Sequence, residues 1–334
     1  MLFVRPAGPP DFAALMDLAE LSGRGFTSLP ADEETLTSRL DLSARSFAGD
    51  LAPVEAWYTL MLEDAASGQI AGVAGVKAAV GVKRPHFSFR VVTLAQSSPT
   101  LEMRFDHQAL VLVNECAGWS EVGSLYLRPE WRAGGAGRLL AQSRYMLIAA
   151  EPQRFADMVI SELRGYFNAQ GVCPFWEALA QKFFRLEFDE ADLMSASTNG
   201  QFILDLAPRH PIYTELLPPE VRETIGCVHP EGEAARAMLE REGFRYSGLV
   251  DIFDAGPTVS CPRDDIRTVR DSLVARVALA EDAAGHLALV STDRADGFRA
   301  VRTPARLMED KVLISREAAA ALRLREGDIA RVRP

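Results

Sequence analysis

No run of about 18 consecutive apolar residues occurs in the 334-residue chain, so no membrane-spanning helix is expected. Cysteine is scarce. Cys116, Cys173, Cys227 and Cys261 stand apart without CxxC spacing, which excludes a thiolate metal site and reads as reduced thiols in the cytoplasm. The opening MLFVRPAGPPDF meets a proline pair too early for the apolar segment of a signal peptide, and a cytoplasmic location is expected. Excess positive charge is missing too. A net charge of −10 excludes nucleic acid or an anionic membrane as the main partner. Internal repeats and low-complexity tracts are absent.

What remains is an ordinary globular composition, 48% hydrophobic and 25% charged, with ample length for a large core. Charge is unevenly spread. Residues 266–334 carry 13 Lys/Arg against 10 Asp/Glu, a local +3, so the first 265 residues carry −13. An acidic body of this kind suits a cationic small substrate.

Periodicity and turn residues give a coarse outline. Leu2–Arg5 reads as a strand. Helices are expected from Asp11, as N-cap, to Leu21 and from Glu33 to Phe47. Ala56–Glu63 and Ile70–Val80 form a hairpin, and further strands are expected at Phe87–Leu94, Ala109–Val113 and Ser124–Leu127. A helix over Gly135–Ala150, a strand over Met158–Leu163 and a short buried helix in PFWEALAQKFF follow. A helix over Ala234–Glu242, closed by Gly243, leads to strands at Phe244–Tyr246 and Leu249–Phe253. This order predicts an α+β fold with a mixed sheet flanked by helices. Residues 1–265 form the main region, with an insertion at about 166–225. Residues 266–284 read as a connector with one helix, and 285–334 as a separate small β-containing unit.

The strongest local signal is the alternating strand ending in Leu127, the turn Arg132-Ala-Gly-Gly-Ala-Gly137 and the helix after it. Gly135 and Gly137 let backbone N–H groups approach a ligand closely, and the helix start adds partial positive charge. That combination, with Arg132 and Arg138 beside it, suits a pyrophosphate. It lacks the Lys-Ser/Thr ending of a P-loop. A tight strand-to-helix connection gives the same pattern.

Four further stretches sharpen the reading. Thr27–Ala31 (TSLPA), His210–Leu217 (HPIYTELL), Ile225–Pro230 (IGCVHP) and Val250–Thr258 (VDIFDAGPT) resemble, in order and across residues 1–265, the arginine N-succinyltransferases. The glycine turn and Leu239–Arg245 (LEREGFR) resemble the wider GNAT acyltransferase superfamily, to which that family belongs. The resemblance implies a GNAT-like sheet and transfer of succinyl from succinyl-CoA to the α-amino group of L-arginine. Succinyl-CoA is then a co-substrate, with no permanently bound cofactor or metal. It further implies that His229 is the catalytic proton donor and that Leu125 lies against succinyl-CoA, and it makes a homo- or hetero-oligomer the expected assembly. Asn114-Glu-Cys-Ala-Gly118 departs from the family pattern, since Ala117 lacks an expected hydroxyl, and this puts strict arginine preference in question.

The chemistry asks for the same residue types. An α-ammonium must lose a proton before attacking a thioester, and the departing thiolate gains from a proton donor; a histidine serves either end. Backbone N–H groups around Leu125–Leu127 are expected at the thioester carbonyl. Arg90 and Arg164 are candidates for the succinyl carboxylate, and Glu115, Glu162, Asp251 and Asp254 for the guanidinium. His86, His107, His210 and His286 lack evident carboxylate partners and read as structural. Cys227 has no base beside it and reads as an inert core thiol. Two alternatives stay open: an ornithine-preferring enzyme or one subunit of a hetero-oligomer, and a non-catalytic subunit that binds CoA or arginine.

Overall fold

The computed structural model describes residues 1–23, 28–197, 201–281 and 285–334, so Thr27 of the TSLPA stretch and the end of the expected connector lie outside the described residues. The first half runs β1 (Leu2–Pro6), α1 (Phe12–Ser22), α2 (Glu33–Ala48), β2 (Trp57–Asp64), β3 (Ile70–Lys77), β4 (Ser88–Ser98), β5 (Met103–Val113), β6 (Ser120–Leu127), α3 (Ala136–Ala150) and β7 (Met158–Glu162). Then come a π-helical turn (Trp176–Ala180) continuing into α4 (Gln181–Phe184), α5 (Phe188–Ser197), α6 (Gln201–Leu206), β8 (Ile212–Tyr213), α7 (Pro219–Arg222), α8 (Glu233–Glu242), β9 (Arg245–Val250) and β10 (Pro257–Pro262). The chain closes with α9 (Arg267–Arg270), β11 (Leu273–Ala280), β12 (His286–Thr292), β13 (Ala300–Met308), β14 (Lys311–Ser315), α10 (Arg316–Leu322) and β15 (Ile329–Arg333). The fold is α+β. Among the described residues no helix is long and apolar enough to cross a membrane.

One mixed sheet organises the main region, in the order β1-β2-β3-β6-β7-β10-β9-β4-β5-β8. Helix α3 packs on one face, where Tyr145 and Met146 bury against Tyr58, Leu60 and Val122. Helices α1 and α2 pack on the other, joining Leu15, Leu36 and Leu40 to Met61, Val73 and Tyr126. Each fully buried side chain of this size contributes roughly 1.5–3 kcal/mol. The Asp32 carboxylate caps α2 by accepting the Thr35 N–H at 2.8 Å, and Gly243, at φ 109°, closes α8 as its pattern predicts. Asp11 does precede α1, but its carboxylate accepts from Arg5 and the Gly8 N–H rather than capping the helix.

Residues 166–225 build a separate aromatic core, with Phe175, Trp176 and Phe184 against Phe89, Leu110 and Val250 of the sheet. The hairpin β4–β5 is longer than its hydrophobic pattern. Its tip, with Leu101 and Met103 exposed, lies beyond the buried pattern, while His107 and Gln108 are met by Thr214 and Glu215, so burial pattern marks only the inner half.

The C-terminal stretch holds two features absent from the sequence outline. The expected connector contains β11, which pairs with both β14 and β15. Because β12 pairs with both β15 and β13, and β13 with β14, strands β11–β15 close into a small barrel. The barrel is joined to the main region by strand pairing, since Phe3↔Val301 and Val4↔Ala300 link β1 to β13. The strand β10 had been hidden by the prolines that bound it, Pro257 and Pro262.

Candidate active site

Strands β6 and β7 run parallel but pair only at Ser120↔Val159 and Glu121↔Ile160. Past that point β7 stays with β10, and β6 stays with β3. Ser124 adopts φ 49°, and the β3–β6 register slips between Val73 and Gly75. This β-bulge bends β6 away from β7 and re-aims the backbone of Ser124–Leu127. The Ser124 hydroxyl holds the bend by donating to the Ser28 carbonyl at 2.9 Å. From Val122 onward, the β7-facing edge of β6 has no strand partner among the described residues. A gap therefore opens between the two C-terminal strand ends.

Each rim of the gap carries a predicted element. From β6 the chain passes through Arg132, which is exposed and whose Nε donates to the Leu127 carbonyl at 3.3 Å, to Gly134 and Gly135 at φ 71° and 86°. Only glycine adopts two such turns in succession without strain. A Cβ on Gly135 would meet nothing within 4 Å, so the space beyond the start of α3 is open. One step on, a Cβ on Gly137 would sit 3.0 Å from Leu127, which shows how closely helix and strand approach. Arg138 lines a crevice between α3, α8 and α9 with Arg241, Arg267 and Arg333.

The other rim leaves β7 through Leu163, Arg164 and Gly165. The Arg164 carbonyl accepts the His229 N–H at 2.8 Å and thereby fixes the histidine at the end of the gap. His229 precedes Pro230 and a short 3₁₀ turn, and its Nδ1 accepts the Glu231 N–H at 3.2 Å. An Nδ1 used as acceptor leaves the neutral ring's proton on Nε2. The Phe167 ring stands edge-on to the imidazole at 6.2 Å and also lies under the Arg164 guanidinium, 4.6 Å away. Partial burial first, then the Arg164 charge, push the His229 pKa below its ordinary value, against a weaker pull from Glu231.

The chain is held here by a knot of close backbone contacts. Asp254 Oδ2 accepts from the Gly165 N–H at 2.7 Å, and Oδ1 from the Gly256 N–H at 2.8 Å. A Cβ on Gly165 would lie 2.2 Å from the Asp254 carbonyl, and one on Gly256 2.0 Å from that of Leu163, so neither glycine is replaceable. Asp251 Oδ1 accepts from the Phe253 and Asp254 N–H groups, turning the chain where a strand over Leu249–Phe253 was expected.

Several expected ligand-binding charges are already partnered. Arg90 and Glu115, read as candidates for opposite ends of the chemistry, bond each other in a two-pronged pair, and Arg90 also donates to the Ser247 carbonyl at 2.7 Å. Glu162 lies 3.1 Å from His86, which therefore does have a carboxylate partner. Burial alone would raise Glu162 and lower His86, but their mutual attraction wins, leaving Glu162 below and His86 above the ordinary values. His107 likewise contacts Glu215 at 3.5 Å. Asp251 is engaged in its turn. Arg164 alone among the candidate cations stands beside His229, with its Nε buried and without a hydrogen-bond partner among the described residues. Cys227 is exposed rather than a core thiol, and its S–H donates to the Glu223 carbonyl.

Residues 2–268 match the sequence profile of the arginine N-succinyltransferase beta subunit, and residues 273–334 that of the same subunit's C-terminal domain. The chain belongs to the arginine N-succinyltransferase family. The arginine N-succinyltransferase of Enterobacter sp. (strain 638) is 40% identical over 99% of this chain and 97% of that one. That of Escherichia coli (strain 55989) is 39% identical over the same shares. The solved arginine/ornithine succinyltransferase subunit AI from Pseudomonas aeruginosa superposes with a TM-score of 0.90, at 35% identity, covering 99% of this chain and 98% of that one. Similarity to the family thus runs through the barrel as well as the main sheet.

Proposed function

We propose that the chain transfers the succinyl group of succinyl-CoA to the α-amino group of L-arginine, giving N2-succinylarginine and CoA in one direct step. The observation that carries this reading beyond kinship is the gap between β6 and β7, with the glycine turn on one rim and His229 on the other. A bulged strand parting from its parallel neighbour is also the basis for inferring a GNAT-like layout.

In this reading the CoA pyrophosphate lies on the N–H groups at the start of α3, with Arg132 and Arg138 adding charge. The arginine-lined crevice beside Arg138 suits the phosphate on the CoA ribose. The thioester carbonyl takes hydrogen bonds from the re-aimed backbone at Leu125–Leu127. The amine attacks the carbonyl carbon and the C–S bond breaks; the departing thiolate accepts a hydrogen bond from Nε2–H of His229, and the proton shed by the attacking nitrogen ends on the sulfur as the CoA thiol. With Nδ1 occupied by the Glu231 N–H, His229 is a donor rather than a base in its neutral form, which favours the leaving-group role. No acyl-enzyme is needed, and Cys227 takes no part. A soluble cytoplasmic enzyme using a central metabolic thioester fits the charge and thiol content of the chain.

Gly135→Asp tests the donor site. It should weaken CoA binding by a hundred-fold or so, because a carboxylate would meet the pyrophosphate, while Gly135→Asn carries the same left-handed strain without the charge and should lose far less. Equal CoA affinity for Gly135→Asp and the parent in calorimetry would remove the turn from the mechanism.

The pH profile tests the histidine. A depressed folded-state pKa means the neutral, Nε2–H ring is present at neutral pH and is lost as pH falls through the lowered value. The rate should be flat near pH 7 and fall on the acid side with a midpoint below about 6.5, the ordinary histidine value. A midpoint at or above that value would contradict the assigned environment.

A further inference from the structure

On the sheet face covered by α1 and α2, a cross-strand row of small residues forms a trough. Thr59 of β2 pairs with Gly75 of β3, and Gly75 with Gly123 of β6. The neighbouring row, Trp57, Lys77 and Glu121, makes one wall, and the trough runs up to the Ser124 bulge. A Cβ on Gly75 would lie at contact distance, 3.4 Å from Trp57 Nε1 and 3.5 Å from Ser124 Oγ, and one on Gly123 3.3 Å from Glu121 Oε1, so polar atoms border the row closely.

Above this trough stands Arg39 of α2, only 6% exposed. Its guanidinium stacks on Trp57 at 4.3 Å, and Lys77 Nζ lies 4.7 Å from the same ring. One of its terminal nitrogens donates to the Ser28 carbonyl at 2.6 Å, but Nε is buried without a hydrogen-bond partner among the described residues, as is Thr59 Oγ1. The carboxylate that acts on it, Glu121, is already committed to Lys77 at 2.7 Å. Arg39, Lys77 and the nearby Arg84 thus outnumber Glu121, and burial with so little compensation pushes the Arg39 pKa down to about 10. A charge this dry is normally paired. The partner that would balance it is an anion with a flat, two-oxygen face.

We propose that Arg39, backed by Trp57 and Lys77, is a carboxylate-recognition site that holds a substrate carboxylate in the trough beside the Ser124 bulge. Both substrates of the proposed reaction carry one: the free end of the succinyl group and the α-carboxylate of the amino acid. The assignment rests on the acyl-transfer reading for its substrates, not for its chemistry.

The test compares the parent enzyme with Arg39→Met and with Arg39→Gln, which keeps a donor for the Ser28 carbonyl. Each is assayed with succinyl-CoA against butyryl-CoA, and with arginine against argininamide, recording kcat/KM and melting temperature. A desolvated charge-assisted pair predicts a ten- to hundred-fold collapse of one preference. Collapse of the succinyl-over-butyryl ratio assigns the site to the donor; collapse of the arginine-over-argininamide ratio assigns it to the acceptor. The melting temperature should hold or rise in both variants, since an uncompensated buried cation is removed. Unchanged ratios in folded variants, or a fall in stability as the sole effect, would overturn the proposal. Calorimetric titration with arginine and argininamide keeps the failures apart. An inactive parent strikes the acyl-transfer reading alone, whereas equal affinities for the two ligands, together with a succinyl-over-butyryl ratio near one in the parent, strike the site.

Discussion

The His229→Ala enzyme is expected to lose about a hundred- to ten-thousand-fold in kcat, the range associated with removing a proton-handling group. Substrate affinity and melting temperature should change little. The side chain makes one hydrogen bond through Nδ1 and is partly exposed, while the bond that anchors this residue to Arg164 is made by its backbone N–H and survives the substitution. His229→Gln refines the test. A glutamine amide can offer an N–H where Nε2–H stood, so partial recovery over alanine indicates hydrogen bonding to the departing sulfur, and no recovery indicates that an amide N–H cannot replace the imidazole. Near-normal turnover in a folded His229→Ala protein would leave backbone donors and positioning as the source of catalysis. The acid-side inflection should vanish in both variants.

What could be read in the sequence follows from how local each determinant is. The hairpin β2–β3, helices α1, α2, α3 and α8 and the glycine turn each declare themselves within a dozen residues, through periodicity or a residue at a forced φ. His229 could be located only because IGCVHP carries a family resemblance; a histidine before a proline has no chemical signature of its own. The candidates for substrate charges fared differently. Arg90 and Glu115 are 25 positions apart and pair because β4 and the loop after β5 meet, a tertiary fact that residue type cannot announce. The β6–β7 gap depends on a bulge at Ser124 and a parting of parallel strands, neither visible in alternation. One signal was there to be used. Leu36, Arg39, Leu40 and Ser43 fall on a single helix face, and all four are buried. A charged residue in the core stripe of an amphipathic helix is a stronger pointer than one at the end of a strand. The closed barrel was equally hidden, because the parallel pairing of β11 with β14 joins segments more than thirty residues apart.

The two buried aspartates should respond in opposite ways to the same change, and the larger response belongs to Asp254. Both of its oxygens accept backbone N–H groups, from Gly165 and Gly256, at positions where no side chain fits to compensate. Asp254→Asn turns one acceptor into a donor facing an N–H, which should cost about 2–4 kcal/mol, or roughly 5–10 °C in melting temperature. Burial raises both carboxylates, and Asp251, with the nearby Asp254 charge added, rises well above the ordinary carboxylate value, so the fold favours the protonated acid there. Asparagine mimics that protonated acid, its Oδ1 still accepting from Phe253 and Asp254. A raised folded-state pKa contributes stability at acid pH that is lost as pH rises through it, so Asp251→Asn should match the parent near pH 4 and melt higher at pH 8. Thermal unfolding of both variants across this range checks the assignment; a destabilised Asp251→Asn at pH 8 would mean the proton is elsewhere. Catalysis supplies the link back to the site. Gly165 follows the residue whose carbonyl holds His229, so Asp254→Asn should lose activity and stability together, whereas His229→Ala loses activity alone.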